Sequence, residues 1–143
     1  MACLLAALLL LAVPALAQTL LEVQLATAIS LKLDQSVRLP KGSYRALGPG
    51  VERWIGKMRG TEGYGNWEAY VAKGLAKWLR PVYVQQVSTA FAQAGYLLVS
   101  NRKFSVGNEV HQQYVFEDMS GRRALLYVIE APDALVWLVG WSN

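Results

Sequence analysis

The sequence predicts an α+β fold, with N-terminal helices packed on one face of a C-terminal four-stranded antiparallel meander. Two periodicities predict it. Apolar residues recur at helical spacing through residues 66–95, then at a spacing of two from residue 96 to the end. Turns carrying Gly, Asn or Asp separate the later runs, and strands joined by such short turns pair antiparallel. A third observation sets the scale: 143 residues are enough for one domain and too few for two ordinary ones.

Residues 1–17 carry no charged side chain. Residues 4–13 are a Leu/Ala run, Pro14 breaks it, and Ala15-Leu16-Ala17 supplies a small-residue cleavage site, the pattern of a secretory signal peptide cut after Ala17. The rival reading is an uncleaved signal anchor, because residues 19–33 are also fairly apolar. The run itself is short for a spanning helix, which needs about 20 residues. Cys3 precedes the apolar run, where a lipid-modified cysteine would follow it. A mature chain of about 125 residues would bury about two thirds of the surface it exposes when unfolded, so a core forms without staples.

Within that chain, residues 18–65 read as the less regular part. Residues 19–33 fit a helix ended by Asp34-Gln35-Ser36, and 43–47 alternate weakly after a turn at Pro40-Lys41-Gly42. Residues 48–65 hold half of the chain's twelve glycines, interrupted by a brief helix over 51–58. Residues 66–95 read as a helical pair. Asn66 takes the N-cap position of the first helix and Glu68 its first turn. Trp67, Tyr70, Val71, Leu75, Trp78 and Leu79 form its stripe. Pro81 starts the second helix, Tyr83, Val87, Ala90, Phe91 and Ala94 share its face, and Gly95 ends it. The meander follows over 96–143, with strands from Tyr96, over 110–117, from Arg123 to Ile129 and over 135–141. The last two are apolar on both faces.

Charge and cysteine usage narrow the function. The single cysteine lies in the leader, so a mature chain has no disulfide, thiol nucleophile or zinc-finger site. Net charge is +4 and the pI near 9.3. Between residues 38 and 59 six bases (Arg38, Lys41, Arg45, Arg53, Lys57, Arg59) face one acid, Glu52; from Glu109 onward five acids face two bases. A basic front of this kind steers anionic partners or is simply solvated surface.

His111 is the sole histidine, so any acid–base pair built on it must recruit a carboxylate. Glu109 shares its strand parity, and Glu117 is the other candidate. Glu117-Asp118 resembles neither an EF-hand loop nor a zinc motif, and reads as turn chemistry beside Gly121. No phosphate-binding glycine loop, nucleophile elbow or specific nucleic-acid motif occurs, and no cofactor is implied. Large aromatics at core spacing assign Trp67, Trp78 and Trp137 to the interior. Trp54, set among Arg53, Lys57 and Arg59, and Trp141 near the C-terminus are the candidates for partner contact, with Lys73, Lys77 and Arg80 flanking.

These readings combine into an expectation: a secreted or periplasmic binding module that contacts an anionic polymer or an envelope protein through Arg53, Trp54, Lys57, Arg59 and Trp141. The alternative is a small secreted hydrolase using His111 with Glu109 or Glu117. A third expectation is an assembly factor exposing the strand 135–141 as a sheet edge.

Overall fold

The computed structural model describes residues 22–26, 29 and 36–143. The leader, and the helix expected over 19–33 apart from 22–26 and 29, lie outside the described residues. The described chain forms one seven-stranded antiparallel sheet: β1 (Glu22–Leu25), β2 (Ser43–Leu47), β3 (Tyr64–Ala72), β4 (Leu97–Val106), β5 (Glu109–Glu117), β6 (Arg123–Glu130) and β7 (Leu135–Ser142). Their spatial order is β1-β2-β3-β7-β6-β5-β4. Two helices complete it, α1 (Gly50–Lys57) and α2 (Arg80–Gln93), the latter entered through a single 3-10 turn at Lys77–Leu79.

The expected architecture, a helical front on a four-stranded meander, is therefore overturned. The C-terminal strands do run as a consecutive antiparallel series, but β7 continues into β3 and the sheet extends through β2 to β1. The decisive departure is at residues 66–79, expected as a helix. Residues 64–72 are a central strand instead, and 22–25, expected to be helical, pair with β2. The segment 64–72 satisfies both periods. Its apolar positions match a helical stripe, yet Trp67, Ala69 and Val71 also alternate with Glu68 and Tyr70. Aromatic and β-branched residues favour the strand, and the slot between β2 and β7 supplies partners on both sides. Asn66 is no N-cap: it takes the left-handed conformation (φ 56°) inside a bulge where the β3–β7 register shifts between Gly65 and Glu68.

The two helices cover opposite faces. Tyr83, Val84, Val87, Ala90 and Phe91 of α2 pack on Tyr70, Leu126, Val128, Leu135, Trp137 and Val139. Val51, Trp54, Ile55 and Met58, spaced for one helical face, bring α1 onto Ala69, Val71, Tyr127, Ile129, Val136 and Leu138. This explains why β6 and β7 carry apolar residues on both faces: each side is roofed. Tyr70 stacks on Trp137 at 4.2 Å between centroids and anchors the α2 side. On the α1 side Trp67 lies over Gly140, where an added Cβ would stand 2.8 Å from its ring. The start of α2 at Pro81 and its end at Gly95 (φ 97°) follow the expected capping chemistry.

Candidate functional site

The single histidine sits at the heart of a polar cluster that fastens α1 to the sheet. His111 stands on β5 opposite Ile129, with its side chain in the α1-facing layer. Its Nδ1 lies 2.6 Å from the Tyr127 hydroxyl and its Nε2 3.2 Å from Glu109 Oε1. The other carboxylate oxygen, Glu109 Oε2, accepts from Lys57 Nζ at 2.6 Å. The Tyr127 hydroxyl also accepts the Arg59 backbone N–H at 3.1 Å, and Gln113 Nε2 donates to the Arg59 carbonyl at 2.6 Å.

An ionised carboxylate only accepts, so His111 Nε2 carries the hydrogen toward Glu109. The Tyr127 hydroxyl, already accepting from Arg59, closes the chain at Nδ1, where either atom can be the donor. The Lys57 ammonium, hydrogen-bonded to Glu109, holds that carboxyl below the usual glutamate range, with His111 adding to the effect. Burial pushes the Tyr127 hydroxyl up, which keeps it neutral.

Chemically, this is an acid–base pair whose imidazole is enclosed while its carboxylate keeps some exposure. His111 is fully enclosed, with the Phe104 and Tyr127 rings beside it. It lines neither of the two cavities that flank α2 on the other side of the sheet. Glu117, the alternative partner, is on the same strand but six residues on, about 20 Å along it, and pairs with Arg123 at 3.3 Å. Asp118 organises the following turn, accepting from the Ser120 and Arg122 backbone N–H groups at 2.9 Å each. Among the described residues, no three His, Cys, Asp or Glu gather to hold a metal ion.

The basic-aromatic patch is divided by the fold. Arg53 and Arg59 are exposed. Trp54, expected outside, packs its ring into the α1–sheet layer, with Lys57 Nζ 4.4 Å from its centroid. Lys57 is itself committed to Glu109. Trp141, also expected outside, is 4% exposed, capped by the Arg122 guanidinium at 4.2 Å and by Tyr96. Arg80 is buried, donating to the Ala131 carbonyl at 2.8 Å, while Lys73 and Lys77 remain exposed. Trp78, assigned to the interior by the helical stripe, is 78% exposed. The strand 135–141 is no edge, since β7 is flanked by β3 and β6.

What the structure leaves open lies elsewhere. A groove of about 550 Å³ runs between Arg38-Leu39-Pro40 and the outer side of α2, at Val82, Gln86, Thr89 and their neighbours. A smaller one, about 290 Å³, separates the start of α2 from the β4–β5 hairpin. Besides Trp78, the exposed large apolar side chains include Val82 on α2 and the consecutive Leu97, Leu98 and Val99 at the start of β4. Sequence reasoning read a strand from Tyr96 but did not single it out as a surface for contact. Its run of three apolar residues followed by Arg102 and Lys103 was the available signal, but without the strand order nothing marked it as an edge.

No family model, no curated protein and no solved structure matches this chain.

Proposed function

We propose that this protein is a non-catalytic binding module that acts outside the cytoplasm and contacts a protein partner. The observation that carries it is the division of chemistry between inside and outside. The sole histidine is walled in beneath α1, bonded to a carboxylate that is only partly exposed, whereas apolar surface that a monomer gains nothing by exposing is left outside at Trp78, Val82 and Leu97–Val99. Such surface marks contact with another macromolecule more readily than turnover of a small one. An anionic polymer is the weaker reading, because the patch that suggested it loses Trp54 and Lys57 to the core and the Glu109 pair. The leader-like residues 1–17 support export.

The test is photo-crosslinking in the producing cell. A photoreactive amino acid is placed at Val82, at Leu98 and, as control, at Glu52, which is exposed on α1 across the sheet from α2. A discrete adduct from Val82 or Leu98 and none from Glu52 is expected. Adducts of equal yield from all three sites, or none, overturn the reading. Mass spectrometry of the exported chain should find Gln18 at its N-terminus; an intact Met1 in the membrane fraction would refute release.

A further inference from the structure

We propose that the free edge of β4 accepts an acidic, extended segment of a partner protein as an additional strand of the sheet. The inference rests on the binding-module reading and names the chemistry of its partner. Among the described residues β4 ends the strand order and pairs only with β5, so one side of a ten-residue strand presents backbone donors and acceptors that no described strand meets. It is the longest strand of the sheet. A bulge between Leu98 and Ser100 interrupts its register with β5, but Ser100 through Val106 runs without irregularity.

The side chains select the occupant. Leu97, Leu98 and Val99 are 76%, 50% and 47% exposed, an apolar row at the entry of the strand. Arg102 and Lys103 follow, and no acid lies between 97 and 106. Neither cation has an ion pair among the described residues: Glu109, near the end of the hairpin, is taken by Lys57, and Glu130, which lines the same cleft as Lys103, forms no ion pair with it. Register places the two cations on opposite faces. Arg102 lies across from Gln113 and over the Phe104 ring on the α1 side, and Lys103 across from Gln112 in the cleft beside α2. A complementary antiparallel strand thus carries two adjacent acids, one for each face, followed by apolar residues that reach Leu97–Val99. The same charges disfavour a second copy of this chain. Antiparallel pairing of β4 with itself about its centre sets each Arg102 opposite the other copy's Asn101 and diagonal to its Lys103, within reach of long side chains, and like charges so placed repel.

The experiment uses the full exported chain and a short, end-capped peptide of Val and Thr residues with two adjacent glutamates in its N-terminal half. Binding is read by backbone NMR. Shifts and slowed amide exchange confined to β4 and its neighbour β5 are expected. The double charge reversal R102E/K103E should weaken binding tenfold or more, and a peptide with lysines in place of the glutamates should restore it to the variant. Unchanged β6 and β7 spectra show that the variant is folded. A peptide N-methylated at alternate residues must lose binding, since strand addition needs its N–H groups. No shift in β4 at millimolar peptide, undiminished binding of the methylated peptide, equal protection by heparin, or sedimentation showing β4-dependent dimers would each overturn the proposal. If crosslinks form at Val82 while the peptide fails, this inference falls and the binding-module reading stands.

Discussion

Replacing Tyr127 by Phe removes one oxygen and tests whether the His111 cluster is a clamp. That hydroxyl accepts the Arg59 N–H at 3.1 Å and reaches His111 Nδ1 at 2.6 Å. Arg59 is exposed, so its N–H finds water and its loss is small. His111 is sealed, and its Nδ1 is left without its hydrogen-bond partner. An orphaned buried polar group costs about 1–3 kcal/mol, and the phenyl ring fills the same space, so no cavity term adds to it. With a urea m-value of about 2 kcal/mol/M, a loss of about 2 kcal/mol lowers the unfolding midpoint by about 1 M. The location of the effect is the sharper readout. α1 is held by this cluster and by Val51, Trp54, Ile55 and Met58, so amide exchange in α1 and at Arg59 should accelerate more than in α2. A Y127F protein within about 0.3 kcal/mol of the parent would refute the clamp, since the change would then lie inside the scatter of ordinary surface substitutions. Uniform acceleration throughout the fold would refute its local character.

The clamp also predicts a pH response. Glu109 has a lowered folded-state pKa, chiefly through Lys57, so its contribution is complete above the ordinary glutamate value of about 4.3 and fades as pH falls through the folded value. K57M should flatten the acid limb of a stability–pH profile; an unaltered limb would dismiss Lys57 as the cause. Gly140→Ala drives a methyl to 2.8 Å from Trp67 ring atoms and should cost about 1–3 kcal/mol by overpacking. Pairing it with Trp67→Leu should recover part of that loss in a double-mutant cycle, and strict additivity would disprove the contact. Tyr83→Phe leaves the Trp137 Nε1–H (3.0 Å) of the α2-side core without its acceptor, while Ser43 Oγ loses its 2.7 Å contact and keeps the Pro40 carbonyl. A loss of about 1–3 kcal/mol by chemical denaturation is expected, and a neutral variant would show that bond to be dispensable.

The legible parts of this fold were those with one dominant period. β6 and β7 read as doubly buried because their apolar runs cannot be amphipathic, and α2 was bracketed by Pro81 and Gly95, whose backbone chemistry is local. The segment 64–72 was not legible, because its side chains fit both periods and the choice was made by neighbours distant in sequence: Trp137, which stacks on Tyr70, and Gly140, which makes room for Trp67. The candidate site failed for the same reason. Glu109 and His111 share parity, and the structure does bring them together, but their burial depends on a helix some fifty residues away in sequence, as the Lys57–Glu109 separation of 52 shows. The stripe Val51, Trp54, Ile55, Met58 was present to be read as a buried helix face. Set among Arg53, Lys57 and Arg59, it looked like a surface patch instead, although those bases mostly flank the face that packs.

A sheet roofed on both sides has little surface left for recognition. Where α1 and α2 seal the two faces over β3, β7 and β6, any substitution that adapts the protein to a partner there also disturbs its core. The positions free to vary are those beyond the roofs. On β4 all but two side chains, Phe104 and Val106, are exposed, and it is reached by neither face cluster except through Phe104. Its three leading apolar residues join neither core cluster, and burying the half or so of each that is still exposed would contribute about 1–2 kcal/mol. An edge that served only to stay unpaired would replace them with charges throughout. Keeping the apolar row at one end and confining the two cations to the middle repels a second copy yet leaves an acidic strand free to bind, which is the combination that specific strand addition requires.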